Sequence, residues 1–183
     1  MLILASTSPR RTQLLSMLGL EHTVIPPGCD ETLPPGCPPA EAVRLLAIRK
    51  AETVAAARPP EDRVIAADTI VYLDGVTLGK PAGRPEAFKM LKTLSGRTHE
   101  VYTGLAVCHN GATKAGVTIT LVTFRTLSDK EISDYINTGT PMDKAGAYGV
   151  QDRGALFVSH IEGDFFSVMG LPLCALGQMI ISN

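Results

Sequence analysis

Residues 64–78 read VIAADTIVYLDGVTL. Val64 to Leu73 has the length and the β-branched content of a buried strand, interrupted by one charge at Asp68. Asp74-Gly75 is a hairpin signal, because a two-residue turn of this kind needs positive φ at both positions. Val76 to Leu78 is then the returning arm, and it ends at Gly79-Lys80-Pro81.

Upstream, Leu2 to Ala5 is a short apolar run followed by Ser6-Thr7-Ser8 and Pro9. Ser8 suits a helix N-cap with Pro9 at the first helical position. Leu14, Leu15 and Leu18 share one helical face, and Gly19 is the expected stop. Six of the thirteen prolines fall between Pro26 and Pro39, which predicts an irregular loop carrying Asp30 and Glu31. Ala40 to Ala57 reads as a helix bounded by Pro38-Pro39 and Pro59-Pro60. Downstream, a helix is expected over Pro85–Leu94, with Gly96 just beyond it. Two strands, Val101–His109 and Val117–Phe124, flank Asn110-Gly111, with a bulge expected where the alternation slips at Val122. Ser128 and Glu131 form a capping-box pattern for a helix running to about Asn137. A Gly-rich loop from Gly139 to Gly154, a strand over Leu156–His160 and a helix from Pro172 complete the chain. Alternating strands and helices with hairpins between them give an α/β fold with a mixed sheet.

The chain has 183 residues, the ordinary size of one domain, and no polar linker divides it, so residues 1–183 are expected to form a single domain. A content of 45% hydrophobic and 19% charged residues excludes intrinsic disorder. No apolar run approaches the ~20 residues of a membrane span, and no basic segment precedes the first apolar run as a signal peptide requires. Basic and acidic residues balance at 17 against 18, and aromatics reach only 5% with no Trp. Broad nucleic-acid binding needs a basic surplus or stacking aromatics, so no nucleic-acid partner is expected. Cys29, Cys37, Cys108 and Cys174 have no CxxC spacing, which fits scattered reduced thiols in a cytoplasmic protein.

Functional sites are where local rules fail. Arg10-Arg11 places two cations at a helix start, where partial positive charge favours acidic residues. With Ser6, Ser8 and the free amides they would make a phosphate site, the alternative being exposed arginines paired with carboxylates elsewhere. Asp68 interrupts an apolar strand, as a metal ligand or proton acceptor would, or as a structural aspartate paired with a cation. Thr69 adds a hydroxyl beside it. Lys80, between Gly79 and Pro81, sits on backbone that can approach a ligand closely, or is a solvated loop lysine. In DKAGAYGVQDRG, residues 143–154, Tyr148 and Gln151 could pack on or hydrogen-bond a base; the alternative is a connecting loop. Neither a nucleophile elbow, a Walker A sequence nor GxGxxG occurs. Candidate cations with a few carboxylates suit a polyphosphate held through a divalent metal.

Taken in order, SPRR at Ser8–Arg11, ADT at Ala67–Thr69, GKP at Gly79–Pro81, SGRTHEVYTGLAV at Ser95–Val107, DKAGAYGVQ at Asp143–Gln151 and GLPL at Gly170–Leu173 closely resemble the Maf family of nucleoside triphosphate pyrophosphatases. The resemblance covers nearly the whole length. It implies an elongated α/β fold with a mixed sheet and a deep cleft, similar to the inosine triphosphate pyrophosphatases of the Maf/Ham1-like type, and a homodimer. It implies hydrolysis of a nucleoside triphosphate to the monophosphate and pyrophosphate. KAGAYG with its following Gln looks like the dTTP/UTP branch rather than the sister branch that acts on 7-methyl-GTP. By resemblance, Asp68 is the proton acceptor, and Arg11, Thr69 and Gln151 are tied to substrate specificity.

With that resemblance, the expected mechanism gives Asp68, Lys80 and Lys50 catalytic roles. Ser6, Ser8, Arg10, Arg11, Thr69, Lys144 and Gln151 bind substrate, and Asp68 with Glu31 holds Mg²⁺ or Mn²⁺. Two positions depart from the family pattern: Thr140 stands where Glu is usual before Pro141, and Asp152 where Gly usually follows the Gln. The first removes a carboxylate at position 140; the second alters the loop beside Gln151. The competing expectations are a nucleotide-binding regulator of septum formation and the same chemistry on another base.

Overall fold

The structure, a computed structural model, describes residues 1–181. It is a mixed α/β fold whose seven strands form one sheet in the order β2-β1-β3-β5-β6-β7, with β4 paired to β3. These strands are β1 (Leu2–Leu4), β2 (Thr23–Val24), β3 (Arg63–Leu73), β4 (Val76–Leu78), β5 (Thr98–His109), β6 (Ala112–Phe124) and β7 (Val158–Glu162). The helices are α1 (Pro9–Met17), α2 (Pro39–Ala55), α3 (Arg84–Leu94), α4 (Asp129–Asn137), α5 (Phe165–Met169) and α6 (Leu173–Ile181).

Turn chemistry set the hairpins as expected. Asp74 and Gly75 have φ of 50° and 82°, and Asn110 and Gly111 have 51° and 74°; these are the left-handed pairs that match the twist of flanking strands. Leu73 accordingly pairs with Val76 in an antiparallel register. Ser128 caps α4 with both bonds of the capping box present. Ser8 is the N-cap of α1 by backbone position, but its side chain makes no capping bond. Instead its N–H donates to Ser6 Oγ at 3.0 Å.

The chain forms two compact units. The first comprises Met1–Thr69, Thr103–Thr118 and the chain from Gly170 on. Here β1 runs parallel to both β2 and β3, with Ile3 opposite Val64 and Leu4 opposite Ile65. Ile3, Ala5, Val64 and Ala66 pack with Ala47, Ala51 and Val54 of α2 and with Ala106 and Cys108. Small residues let α2 lie close against the sheet, closest at Gly104, where a Cβ would fall 2.1 Å from the Val43 carbonyl oxygen.

The second unit comprises Ile70–Tyr102 and Ile119–Met169. Its core joins Leu91 and Leu94 of α3 to Val101, Phe124, Ile132, Tyr148 and Phe157. Edge-to-face ring pairs, Phe124 with Tyr148 at 4.7 Å and Tyr135 with Phe157 at 5.0 Å, fill its centre.

Several expectations need correction. Residues 139–154 are no plain loop: Thr140–Asp143, Ala145–Ala147 and Arg153–Phe157 are 3₁₀ turns. Ala147, Tyr148, Val150 and Phe157 belong to the core, and burial makes the backbone satisfy itself in tight turns. For the same reason the following strand starts at Val158 instead of Leu156. β6 begins at Ala112 and β5 at Thr98, both earlier than the apolar pattern suggests. The bulge lies between Thr123 and Phe124 in the pairing with β7. Two-residue β2 and short α5 carry too little periodicity to be read from sequence.

Candidate active site

In the first unit, β1, β3 and the loop before α6 converge on Arg11. Its Nε donates to the Gly170 carbonyl at 2.7 Å, Nη1 to Ser6 Oγ at 3.3 Å and Nη2 to Thr69 Oγ1 at 3.3 Å. Ser6 is buried and, accepting from Ser8 N–H as well, ties the start of α1 to the end of β1. Thr69 Oγ1 lies 3.0 Å from Thr103 Oγ1 of β5. Gly170 has a φ of +110°, a backbone conformation that calls for glycine, while a Cβ there would make only ordinary contact with Arg11 Nε at 3.4 Å. Burial lowers the Arg11 pKa and neighbouring Arg10 adds to this, while the Asp68 and Glu31 carboxylates act in the opposite sense. Arginine remains charged under any such shift. The result is a cation held in one geometry beside two hydroxyls.

Asp68, next to Thr69 on β3, turns the other way, as successive strand residues do. Its Oδ1 accepts from Lys50 Nζ at 2.6 Å, and Glu31 Oε1 lies 2.9 Å from the same ammonium. The side chains of Lys50 and Asp68 are 10% and 14% exposed, against 59% for Glu31. Burial works against the charge on Lys50, but the two carboxylates outweigh it and its pKa is raised. Lys50 is therefore an ammonium at neutral pH. Its place on α2 is fixed by the close approach of that helix to Gly104, two turns earlier.

Among the described residues no group of three or more His, Cys, Asp or Glu side chains is placed to hold a metal ion. Asp68 and Glu31 nevertheless converge on one ammonium, so a cation already occupies the space between them. That donor set fits a hard divalent ion, since Mg²⁺ is commonly held by one or two carboxylates with phosphate and water completing the shell.

Lys80, Lys144 and Gln151 belong to the second unit. Lys80 is exposed just beyond β4, and its ammonium has no hydrogen bond or ion pair among the described residues; the Gly79 carbonyl before it accepts from Gly146 N–H at 3.0 Å. Gln151 is exposed, and its amide is likewise without a partner among the described residues. Lys144 is buried, its Nζ donating to the Thr140 carbonyl and to Asp143 Oδ1 at 2.7 Å, with Asp152 Oδ2 at 3.5 Å. Thr140 thus contributes a main-chain acceptor where a side-chain carboxylate is absent. Tyr148 requires a correction. Its ring is buried against Phe124 and His99, and its hydroxyl bonds to His99 Nε2 at 2.7 Å, so it is a core residue and cannot stack on a base.

The first unit therefore brings together Ser6, Ser8, Arg11, Thr69, Asp68, Lys50 and Glu31, with Arg10 half-buried next to Arg11. Sequence reasoning missed Thr103 and Gly170, which hold Thr69 and Arg11. Their only signal was membership of the YTG and GLPL stretches, since neither carries a charge or an unusual spacing.

The family described as "Maf-like protein" (Maf) matches residues 1–182. The chain is 50% identical over 181 residues to the dTTP/UTP pyrophosphatase of Moorella thermoacetica, covering 98% of this chain and 93% of that one. It is 48% identical over 189 residues to the dTTP/UTP pyrophosphatase of Bordetella parapertussis, covering 99% and 91%. Among solved structures, the Staphylococcus aureus Ham1 protein is similar at 18% identity over 67% of this chain and 71% of that one, with a TM-score of 0.47.

Proposed function

Because the chain belongs to the Maf family, we propose that it is a nucleoside triphosphate pyrophosphatase that hydrolyses dTTP and UTP to the monophosphate and pyrophosphate. The observation that carries the chemistry is the Lys50–Asp68 pair beside Arg11.

The Lys50 contact engages Asp68 Oδ1 and leaves Oδ2 for a water molecule. Asp68 takes a proton from that water as its oxygen attacks the α-phosphorus. The bond from the α-phosphorus to the bridging oxygen breaks, and pyrophosphate leaves with the electron pair. Charge grows on the departing oxygens, and Lys50, Arg11, Arg10 and Lys80 are the cations that stabilise it. Ser6 and Ser8 supply hydroxyl donors beside the start of α1, their own amides being bonded to the Leu4 carbonyl oxygen and Ser6 Oγ. Arg11 and Thr69 are the specificity residues of the first unit, and Gln151 that of the second. A side-chain amide can donate to one group of a uracil or thymine edge and accept from another. Asp68 and Glu31 would hold Mg²⁺ or Mn²⁺, which when bound supplies neutralising charge to the triphosphate.

The described residues contain no helix long and apolar enough to cross a membrane. We assign the enzyme to the cytoplasm from its scattered free cysteines, take its two compact units as one domain from the chain length, and propose a homodimer on the strength of the resemblance; light scattering in solution tests the dimer.

The deciding experiment is pyrophosphate release from dTTP, UTP, CTP, GTP and 7-methyl-GTP with Mg²⁺ or Mn²⁺, with Asp68→Asn alongside. Selective cleavage of dTTP and UTP, abolished in the variant, is the expected result. A preference for 7-methyl-GTP overturns the base assignment, and an active Asp68→Asn enzyme removes Asp68 as proton acceptor. Nucleotide binding with no turnover of any substrate would make the protein a nucleotide-responsive regulator instead.

A further inference from the structure

Asp152 gathers three partners around its carboxylate. Its Oδ1 accepts from Tyr135 Oη at 2.8 Å and from Gly154 N–H at 2.8 Å, while Oδ2 faces Lys144 Nζ at 3.5 Å. The Tyr135 hydroxyl also accepts from Gly149 N–H at 3.2 Å. An amide can only donate, so the single hydroxyl proton is committed to Asp152. The two glycines complete the enclosure. A Cβ on Gly149 would fall 2.6 Å from Asp152 Oδ2 and 2.7 Å from Lys144 Cε, and one on Gly154 would fall 2.7 Å from the Gly149 carbonyl oxygen. Residues 149 and 154 are thus folded against each other around one carboxylate and one phenol.

Gln151 sits at the tip of this closed turn. Val150 before it is buried in the core and Asp152 after it is anchored, while Gln151 itself is exposed. Both flanking residues are fixed by contacts that do not involve its amide.

We propose that Asp152 is a positioning residue for substrate selection: clamped by Tyr135, Gly154 and Lys144, it sets the turn that presents the Gln151 amide to the pyrimidine. This rests on Gln151 reading the base, as proposed above. Lys144 then serves as the counter-ion of the clamp, with its ammonium protons directed to Thr140, Asp143 and Asp152, in place of a direct phosphate contact. Holding a long amide in one orientation before the ligand arrives lowers the ordering cost of binding, so the effect belongs in KM and in base discrimination more than in the chemical step.

The test is a cycle of Gln151→Ala, Asp152→Ala and the double variant, with Asp152→Asn and Tyr135→Phe beside them. Each is read as kcat and KM for UTP, dTTP and CTP, with thermal melting as the folding control. Asp152→Ala is expected to raise KM for UTP about tenfold while kcat falls no more than about twofold, and to cut the UTP-over-CTP ratio of kcat/KM by about tenfold. Tyr135→Phe, which keeps the carboxylate, shifts the same ratio in the same direction by a smaller factor and stands in if Asp152→Ala does not fold. Asp152→Asn, keeping the acceptor and losing the charge, falls between. In the Gln151→Ala background, Asp152→Ala should change the ratio no further, because a residue acting through another adds nothing once that other is gone. The proposal is overturned if Gln151→Ala moves the ratio and Asp152→Ala does not, or if the two effects multiply in full. It is also overturned if Asp152→Ala lowers melting temperature and kcat for every nucleotide alike. If Gln151→Ala leaves the ratio unchanged, the base-reading role fails first and the positioning role falls with it.

Discussion

Gly104 of β5 lies so close to Val43 of α2 that a Cβ would stand 2.1 Å from the Val43 carbonyl oxygen and 2.8 Å from Arg44 N. No rotamer adjustment relieves a clash with backbone, so α2 must move for any other residue to enter. Lys50 is two helical turns along from Val43, and its bond to Asp68 depends on the seat of that helix. Gly104→Ala should therefore cost about 2–3 kcal/mol of stability, as overpacking does, and lower UTP turnover as well. Urea unfolding and a pyrophosphate-release assay on the same preparation check both. A stable, fully active variant would show that the approach of α2 does not set Lys50.

Lys50 and Glu31 offer a graded comparison on one ion cluster. Lys50→Gln removes the ammonium from between two carboxylates and leaves Asp68 without its buried counter-ion, so kcat should fall by about 10²-fold or more, the scale of losing one charge-stabilising group. Glu31 is 59% exposed, and an ion pair with that much solvent contributes little. Glu31→Gln should accordingly lower kcat by less than about tenfold at saturating Mg²⁺, with a rise in the Mg²⁺ concentration needed for half activity as its main effect. Equal losses in the two variants would place Glu31 on a level with Lys50 and contradict the burial argument.

Arg11 makes its bonds through three different nitrogens to acceptors in three segments, a fork that a lysine cannot copy. Arg11→Lys is expected to raise KM for UTP about tenfold. Gly170→Ala should move KM in the same direction, since the φ of +110° is strained for alanine and relief of that strain shifts the carbonyl that accepts from Arg11 Nε. Steady-state kinetics on both variants tests the link. If Gly170→Ala leaves KM untouched while Arg11→Lys does not, the Gly170 carbonyl is not what holds the guanidinium.

These relationships mark where sequence reading succeeds and where it stops. Asp74-Gly75, Asn110-Gly111 and the Ser128–Glu131 box act within a few residues, so the chemistry that causes each turn or cap is written beside it in the chain. Asp68 was legible for a related reason: one charge in an apolar strand needs an explanation wherever the strand goes. Arg11 and Gly170 are 159 positions apart, and nothing local in either announces the other. Tyr148 looked like a base platform because a loop rich in glycine suggests access; the core claimed it because a phenol paired with a buried histidine is more fully satisfied inside. Asp152 stood out as a departure from the family pattern, yet its partners Tyr135, Lys144 and Gly154 became visible only once residues 139–154 were seen to close on themselves.

His99 supplies a pH dependence of known sign. It is 1% exposed; Nε2 meets the Tyr148 hydroxyl at 2.7 Å, and Nδ1 has no hydrogen-bond partner among the described residues. Burial lowers its pKa to about 4 from the ordinary 6.5, so the folded state holds the proton less tightly than the unfolded chain does. Its contribution is complete above about pH 6.5 and is lost as the pH falls toward 4, where the imidazole must be charged inside an apolar core. Between pH 7.5 and 5 that loss should amount to about 2 kcal/mol, at about 1.4 kcal/mol for each unit below the unfolded pKa. The carboxylates of the protein titrate in wild type and variant alike, so the comparison with His99→Gln isolates the histidine. The variant should be less stable at pH 7.5 but flatter across the range, by about the same 2 kcal/mol. Urea unfolding at pH 7.5, 6.25 and 5 measures the difference, and parallel curves for the two proteins would mean that His99 is not the group being charged.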